Sequence, residues 1–323
     1  MKIGSYEFSR PLVLAPMAGV TDMPFRSLCN SMGADYVVSE MIAAKTELWK
    51  SKKTQTRLSL GGFKPRIVQL VGGDEVLMAE GAARACDSGA DIVDINMGCP
   101  AKKVCRKAAG SALLSDPTLV IKILRAVVKA SESPVTLKMR TGPSQVHKNG
   151  VTIAKIAESE GISAIAIHGR TRNCRYDVPA EYETIAAIKD SIGIPVLVNG
   201  DIRCGTSAFK ALSKTNADGL MIGRAAQGNP WIFSSIRAAL DGERWNEPSP
   251  IERLEVLHSL LESIYQLYGK EQGSRVARKH IIWFLSYLPI KSEIDKATMN
   301  KIKTSQDQLN FVQFRKREFE NKG

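Results

Sequence analysis

The chain has 323 residues, 44% hydrophobic and 24% charged, and its 45 Lys+Arg against 33 Asp+Glu leave a net charge of +12. That composition excludes a disordered, collagen-like or low-complexity polypeptide, and no apolar run approaches the roughly 18 residues of a membrane span. The length admits one large domain, or a large one and a small one.

The first apolar stretch, Pro11–Val20, is interrupted by Pro16 and Gly19 and has no strongly cationic segment before it, so a secretory signal is not expected. Six cysteines (Cys29, Cys86, Cys99, Cys105, Cys174, Cys204) are scattered rather than clustered. That spacing argues against a disulfide framework and for a reducing, cytoplasmic setting.

Eight short β-prone runs follow one another: Leu12–Ala15, Asp35–Ser39, Arg66–Val71, Asp91–Asn96, Pro134–Met139, Ser163–His168, Ile194–Asn199 and Asp218–Ile222. Most are nearly continuous apolar runs, the pattern of strands covered on both faces in a parallel sheet. Amphipathic helices lie between them. Asp74 and the pair Asp116-Pro117 are N-terminal capping signals, and Gly33, Gly89 and Gly161 are stop signals. Eight βα units within residues 1–240 predict a (β/α)8 TIM barrel. An open doubly wound sheet is the weaker alternative, because no strand is followed by a Gly-x-Gly-x-x-Gly turn or a Walker loop. Residues 241–250 are rich in charge, Gly and Pro and read as a linker. From residue 251 to 323 the pattern is helical, with Leu254, Leu257, Leu261 and Ile264 at spacings of three and four, then Arg275–Tyr287 and Met299–Phe319. This predicts a small all-helical domain packed on the barrel.

Barrel chemistry sits at the C-terminal ends of the strands. Those ends carry Pro16-Met17-Ala18, Ser39-Glu40, Gln69, Asn96, Lys138-Met139-Arg140, His168-Gly169-Arg170, Asn199-Gly200-Asp201 and Gly223-Arg224. So many polar groups on one rim favour a built site over ordinary capping of a core. The charge collects there too. Lys45–Arg57, Met97–Gly110, Lys138–Gly150 and Arg170–Val178 together net +13, the whole excess of the chain. Four solvated loops would explain this one by one; together they suit an anionic polymer lying across the barrel mouth.

Asn199-Gly200-Asp201 and Gly223-Arg224 follow the seventh and eighth strands, where barrels commonly bind phosphate, and Arg224 can engage two phosphate oxygens. Lys138 stands inside an apolar strand and should face an anion or an electron-rich oxygen, unless it serves as a Schiff-base nucleophile. With Gln69, Asn96 and His168 it forms a set suited to a planar heterocycle with carbonyls and ring nitrogens, such as a flavin, although His168 could equally be a satisfied core histidine. The loop Ile95-Asn96-Met97-Gly98-Cys99-Pro100-Ala101-Lys102-Lys103 holds a cysteine between Gly and Pro beside a run of cations. Such a thiol can act as a nucleophile or as an acid. Cys99 and Cys105 lack the second ligand pair that a zinc site needs, so no metal is expected.

These blocks resemble the bacterial tRNA-dihydrouridine synthase family, most closely its B-type branch. The likeness rests on Asp94-Ile95-Asn96-Met97-Gly98-Cys99-Pro100 with Gly110-Ser111, on Ala15-Pro16-Met17-Ala18-Gly19-Val20-Thr21-Asp22, and on Ile167-His168-Gly169-Arg170-Thr171-Arg172. Asn199-Gly200-Asp201-Ile202, Ile222-Gly223-Arg224-Ala225-Ala226 and Arg278-Lys279-His280 with Trp283 extend it over residues 3–290. The resemblance implies an FMN enzyme, recharged by NADPH, that reduces a uridine of the tRNA D-loop to 5,6-dihydrouridine. It implies that Pro16, Met17, Ala18, Gln69, Lys138, His168, Asn199, Gly200, Asp201, Gly223 and Arg224 hold FMN. Hydride would pass from reduced FMN to uracil C6 and a proton from Cys99 to C5. Asn96 would meet the substrate, and Lys102, Lys103, Arg140, Arg170, Arg172, Arg175, Arg278 and Lys279 would contact tRNA. The B-type likeness points to the uridine at tRNA position 17.

Aromatic content is only 6%, which leaves recognition by shape and backbone as the expected basis of substrate choice. A monomer is expected. The rival class is a small-molecule FMN oxidoreductase of the dihydroorotate-dehydrogenase kind, which needs neither the basic rim nor the helical appendage. A flavin-free RNA-binding chaperone is a third.

Overall fold

The computed structural model describes residues 1–289 and 301–321. A two-stranded antiparallel hairpin, β1 (Lys2–Ile3) and β2 (Tyr6–Glu7), opens the chain. Then follow β3 (Leu12–Leu14), α1 (Met23–Ser31), β4 (Tyr36–Val37), β5 (Ile42–Ala43), α2 (Lys52–Leu58), β6 (Ile67–Val71), α3 (Glu75–Asp87) and β7 (Ile92–Met97). The second half brings the short α4 (Lys102–Cys105), α5 (Pro117–Ala130), β8 (Val135–Arg140), α6 (Gly150–Ser159), β9 (Ala164–His168), α7 (Glu183–Ser191), β10 (Val196–Asn199), α8 (Gly205–Thr215), β11 (Gly219–Ile222) and α9 (Ile232–Asp241).

All neighbours in the large sheet are parallel, in the order β4-β3-β11-β10-β9-β8-β7-β6-β5. β4 and β5 are two pieces of one barrel strand. The Val38–Ile67 bridge and the Ser39 N–H bond to the Ile67 carbonyl (3.2 Å) close the ring between them. The (β/α)8 barrel expected from the sequence is therefore present, with its second strand divided at Ser39-Glu40-Met41. The division has a local cause: the Gln69 N–H bonds the Ser39 hydroxyl (3.0 Å) in place of a strand carbonyl.

The apolar runs hide a period of two. Along β7 and β8, Val93, Ile95, Met97, Val135, Leu137 and Met139 face outward into the core shared with the helices. Ile92 joins Val13, Tyr36, Ile67, Ala164, Leu197 and Met221 in a separate apolar cluster inside the barrel, plugged by Ile3 of the hairpin. Above that floor the same inward register delivers polar residues: Gln69, Asp94, Asn96, Thr136, Lys138, Arg140, His168 and Asn199, all buried. An apolar floor under a polar ring is what positions the site.

The capping signals work as their chemistry demands. Asp74 and Asp116 accept the main-chain N–H groups of Leu77 (2.9 Å) and Leu119 (3.0 Å), and Pro117 occupies the first turn. After residues 242–249, which hold no helix or strand, come α10 (Pro250–Tyr268), α11 (Lys270–Leu285) and α12 (Ser305–Glu320). Leu254, Leu257, Leu261 and Ile264 are buried. The last helix starts at Ser305, where Thr304 caps the Asp307 N–H (3.1 Å); the earlier start expected at Met299 lies outside the described residues. Among the described residues no helix is long and apolar enough to cross a membrane.

The helical region is keyed into the barrel. Arg253 of α10 lies over the rings of Trp231 (5.1 Å) and Tyr287 (5.4 Å). Gly228 meets α11 so closely that a Cβ would collide with the main-chain carbonyl of Trp283, and its φ is +74°. Gly228→Ala combines overpacking with left-handed strain and should lower stability by about 2–4 kcal/mol. A fall in the urea midpoint at unchanged m-value checks this.

Candidate active site

Fourteen of the residues singled out in the sequence surround one cavity of about 590 Å³ at the C-terminal end of the barrel: Pro16, Met17, Ala18, Gln69, Asn96, Cys99, Lys138, Arg140, His168, Asn199, Gly200, Asp201, Gly223 and Arg224. The inward register brings Gln69, Asn96, Lys138, Arg140, His168 and Asn199 to this height, and the loops after β3 and β11 supply Pro16, Met17, Ala18, Gly223 and Arg224. Glu40 is the exception: it pairs with Arg57 (2.9 Å) and caps the divided second strand instead.

Lys138 is 8% exposed, and its ammonium donates to Asn199 Oδ1 (3.2 Å), whose amide nitrogen is anchored on the Met221 carbonyl (2.7 Å). Burial, with Arg140 close by, brings the Lys138 pKa down to about 8. An ammonium has three donors, so a partner entering the cavity can take what Asn199 does not.

His168 accepts at Nε2. Its neighbour there is Arg170 Nη1 (3.1 Å), a group that can only donate, so the ring proton sits on Nδ1. Burial, reinforced by Lys138, Arg140, Arg170 and Arg224, pushes the imidazole pKa down to about 2. His168 is a neutral ring in a cationic surround.

Asp201 organises the loop after β10. Held at φ +53°, it receives Arg170 Nη2 (2.7 Å), Arg224 Nη2 (3.2 Å) and the Ala180 N–H (2.8 Å). Gly200 beside it has φ +130°, and a Cβ there would sit 2.7 Å from that of Ala180, so only glycine fits. Arg224, 47% exposed at its side chain, keeps free room on its fork while Asp201 aims it.

Cys99 is half-buried, its N–H bonded to Asn96 Oδ1 (2.9 Å) and its carbonyl to the Ser111 hydroxyl (2.9 Å). Burial raises the thiol pKa, against the Ala101 N–H and the charges of Arg140 and Lys138. At neutral pH the group is a thiol with a proton to give, which sets the acid above the nucleophile among its possible roles.

Three cations expected to meet a polymer are placed otherwise. Arg140 and Arg170 are each 2% exposed. Arg140 bonds the carbonyls of Gly98 (2.8 Å) and Thr171 (2.8 Å), and Arg170 bonds the Val178 carbonyl (2.7 Å) as well as Asp201, so both tie loops together from inside. Lys279 of α11 donates to the Gly19 carbonyl and faces Asp22, whose pKa burial pushes up to about 6. It braces the Pro16–Thr21 loop from the helical region. Arg278 is half-buried on the same helix. Lys102, Lys103 and Arg175 are exposed around the mouth, with Arg172 half-buried between the loops.

Tyr176 and Tyr287, not singled out from the sequence, also line the cavity. Tyr176 packs under Arg224 (4.4 Å) and beside His168 (5.9 Å), so the rim does carry a flat aromatic face despite the low aromatic content. Its only sequence signal was an aromatic residue within the basic loop Arg172–Asp177. Tyr287 arrives from beyond α11.

The family model for dihydrouridine synthases (Dus) matches residues 13–320, and the chain belongs to that family, a class of oxidoreductase. More particularly, it is 52% identical over 313 residues to tRNA-dihydrouridine synthase B of Pseudomonas aeruginosa, covering 95% of this chain and 93% of that one. The enzymes of the same name from Pseudomonas syringae pv. tomato (49%, 100% and 95% covered) and Shewanella oneidensis (48%, 97% and 98% covered) are similar along their whole length.

The His168 tautomer is directly observable. Its ring ¹⁵N signals should stay those of a neutral imidazole from about pH 8 to about pH 5 in the apoprotein, whereas a midpoint near the ordinary value of about 6.5 would contradict the Arg170 bond.

Proposed function

We propose that this enzyme reduces one uridine of the tRNA D-loop to 5,6-dihydrouridine, with FMN held in the barrel cavity and NADPH as reductant. The observation that carries the proposal is that a protonated thiol, Cys99, and a buried ammonium, Lys138, line the same cavity. The donor set suits FMN. Lys138 has N–H capacity for a ring carbonyl or an anionic ring nitrogen, neutral His168 offers Nδ1–H, and Arg224 with the Gly200 and Gly223 loops suits a phosphate. Bound FMN would supply the electron pair that adds to uracil at C6.

The residues divide the remaining work. As charge builds on the C4 carbonyl and C5 of the uracil, the Cys99 thiol gives its proton to C5. The sulfur left behind gains from the Ala101 N–H and from the nearby charges of Arg140 and Lys138. Lys138, already desolvated, would favour negative charge on a cofactor held in the cavity. Tyr176 offers a base drawn out of the tRNA stack a flat wall at the mouth, offsetting an unstacking cost of a few kcal/mol. Lys102 and Lys103, exposed on the Cys99 loop itself, would take phosphates along with Arg172 and Arg175. That loop is what favours tRNA over a free pyrimidine, since a small substrate has no use for cations outside the cavity.

Mapping dihydrouridine by mass spectrometry in tRNA from cells lacking the gene tests the reading. Wild-type enzyme should restore the modification at one D-loop position, expected to be 17. Cys99→Ala should fail to restore it, its turnover reduced about 10²–10⁴-fold, while the purified variant keeps its flavin absorbance. Full restoration by Cys99→Ala would remove the thiol from the mechanism.

A further inference from the structure

Asp94 lies one layer below the cavity, 5% exposed, on β7 opposite Gln69 of β6 and Thr136 of β8. Its carboxylate receives the Thr136 hydroxyl (2.6 Å) and Gln69 Nε2 (2.7 Å). An ionised carboxylate only accepts, so Gln69 must turn its amide nitrogen down to Asp94 and its oxygen outward. That oxygen takes Asn96 Nδ2 (2.8 Å). Asn96 is then left with Oδ1 toward the loop, where it accepts the N–H groups of Gly98 (3.2 Å) and Cys99 (2.9 Å).

We propose that Asp94 is a positioning residue for the Cys99 loop: its carboxylate sets the donor–acceptor sense of an amide relay, Asp94 to Gln69 to Asn96, whose far end holds the Cys99 main chain. The catalytic consequence rests on Cys99 being the proton donor; the relay itself does not.

Reversing the first link reverses them all. A protonated Asp94 can donate to Gln69, whose amide then turns over. Asn96 must in turn present its oxygen to Gln69, and its NH₂ group meets the N–H groups of Gly98 and Cys99, donor against donor. The loop loses its anchor. The carboxylate sits where this is reachable, because burial pushes its pKa up to about 6 against the Thr136 and Gln69 bonds and the Lys138 charge. The titratable groups facing it are Lys138 from β8 and Tyr36 from β4. β6 and β8 also present Gln69 and Thr136, and the rest of the floor is apolar, including Ile3, Ile67, Ala164, Leu197 and Met221.

Amide hydrogen exchange at Gly98 and Cys99 in the full-length protein, expressed as protection over an unstructured peptide, tests the relay. Wild type should lose about tenfold in protection at these two amides between about pH 7.5 and about pH 5. Asp94→Asn presents one donor and one acceptor edge at every pH, as a protonated Asp94 does, so its protection should be equal at both values and as low as that of wild type at about pH 5. Asp94→Leu should be weakly protected throughout, with kcat on tRNA reduced at least about tenfold and KM unchanged. Wild-type protection indifferent to pH, or the wild-type pH dependence persisting in Asp94→Asn, would overturn the relay whether or not Asp94→Leu folds. If exchange behaves as expected but Cys99→Ala turns over tRNA at full rate, the relay stands and the proton-donor reading falls.

Discussion

The barrel mouth is organised around one buried ammonium group. Lys138 is carried on a strand whose other inward residues are Thr136 and Arg140, and the alternation of the strand leaves it nowhere to point but the barrel axis. Desolvating a cation there costs several kcal/mol, and the protein offsets only part of this, through Asn199 and the carboxylate of Asp94 below. The remainder is a standing preference for an electron-rich partner in the cavity. His168, kept neutral first by its burial, feels the same field from the other side.

A second theme is that charge near this site is mostly structural. Asp201 draws Arg170 and Arg224 together, Arg140 joins the Cys99 loop to the loop after β9, and Lys279 links the helical region to the loop that follows β3. Each spans elements far apart in the chain. The cations left for a polymer, Lys102 and Lys103 on α4 with Arg172 and Arg175 in the loop after β9, border the cavity instead of lining it. Bonded charge inside and exposed charge outside is a sensible division for an enzyme that must fix a small reacting centre while gripping a large substrate.

The strand ends were legible in the sequence because a polar residue closing an apolar run is costly without a purpose; Gln69, Asn96, Lys138, His168 and Asn199 all announced themselves this way. The strands were found to within a residue or two for the same reason. The N-terminal hairpin was not foreseen, since two-residue strands carry no periodicity, and the break after Val37 depends on a hydroxyl from Ser39 reaching Gln69 across the sheet. Arg140 and Arg170 were misjudged because a guanidinium is buried only when distant loops bring carbonyls to it, here those of Gly98, Thr171 and Val178. Tyr287 joins the cavity only because α11 packs back over the barrel. The family likeness reached the correct class, but it could not sort which of the cations were struts.

Lys138→Met tests the central claim most directly, by measuring FMN affinity and apoprotein stability on the same preparation. A methionine fills similar volume without charge, and the cation it removes is only partly paired, so the apoprotein should unfold at an equal or higher denaturant concentration, while FMN binding weakens by about 100-fold or more. A variant that retains FMN with undiminished affinity, or whose apoprotein is clearly destabilised, would show that the buried ammonium is part of the core and not the feature that the cavity is built around.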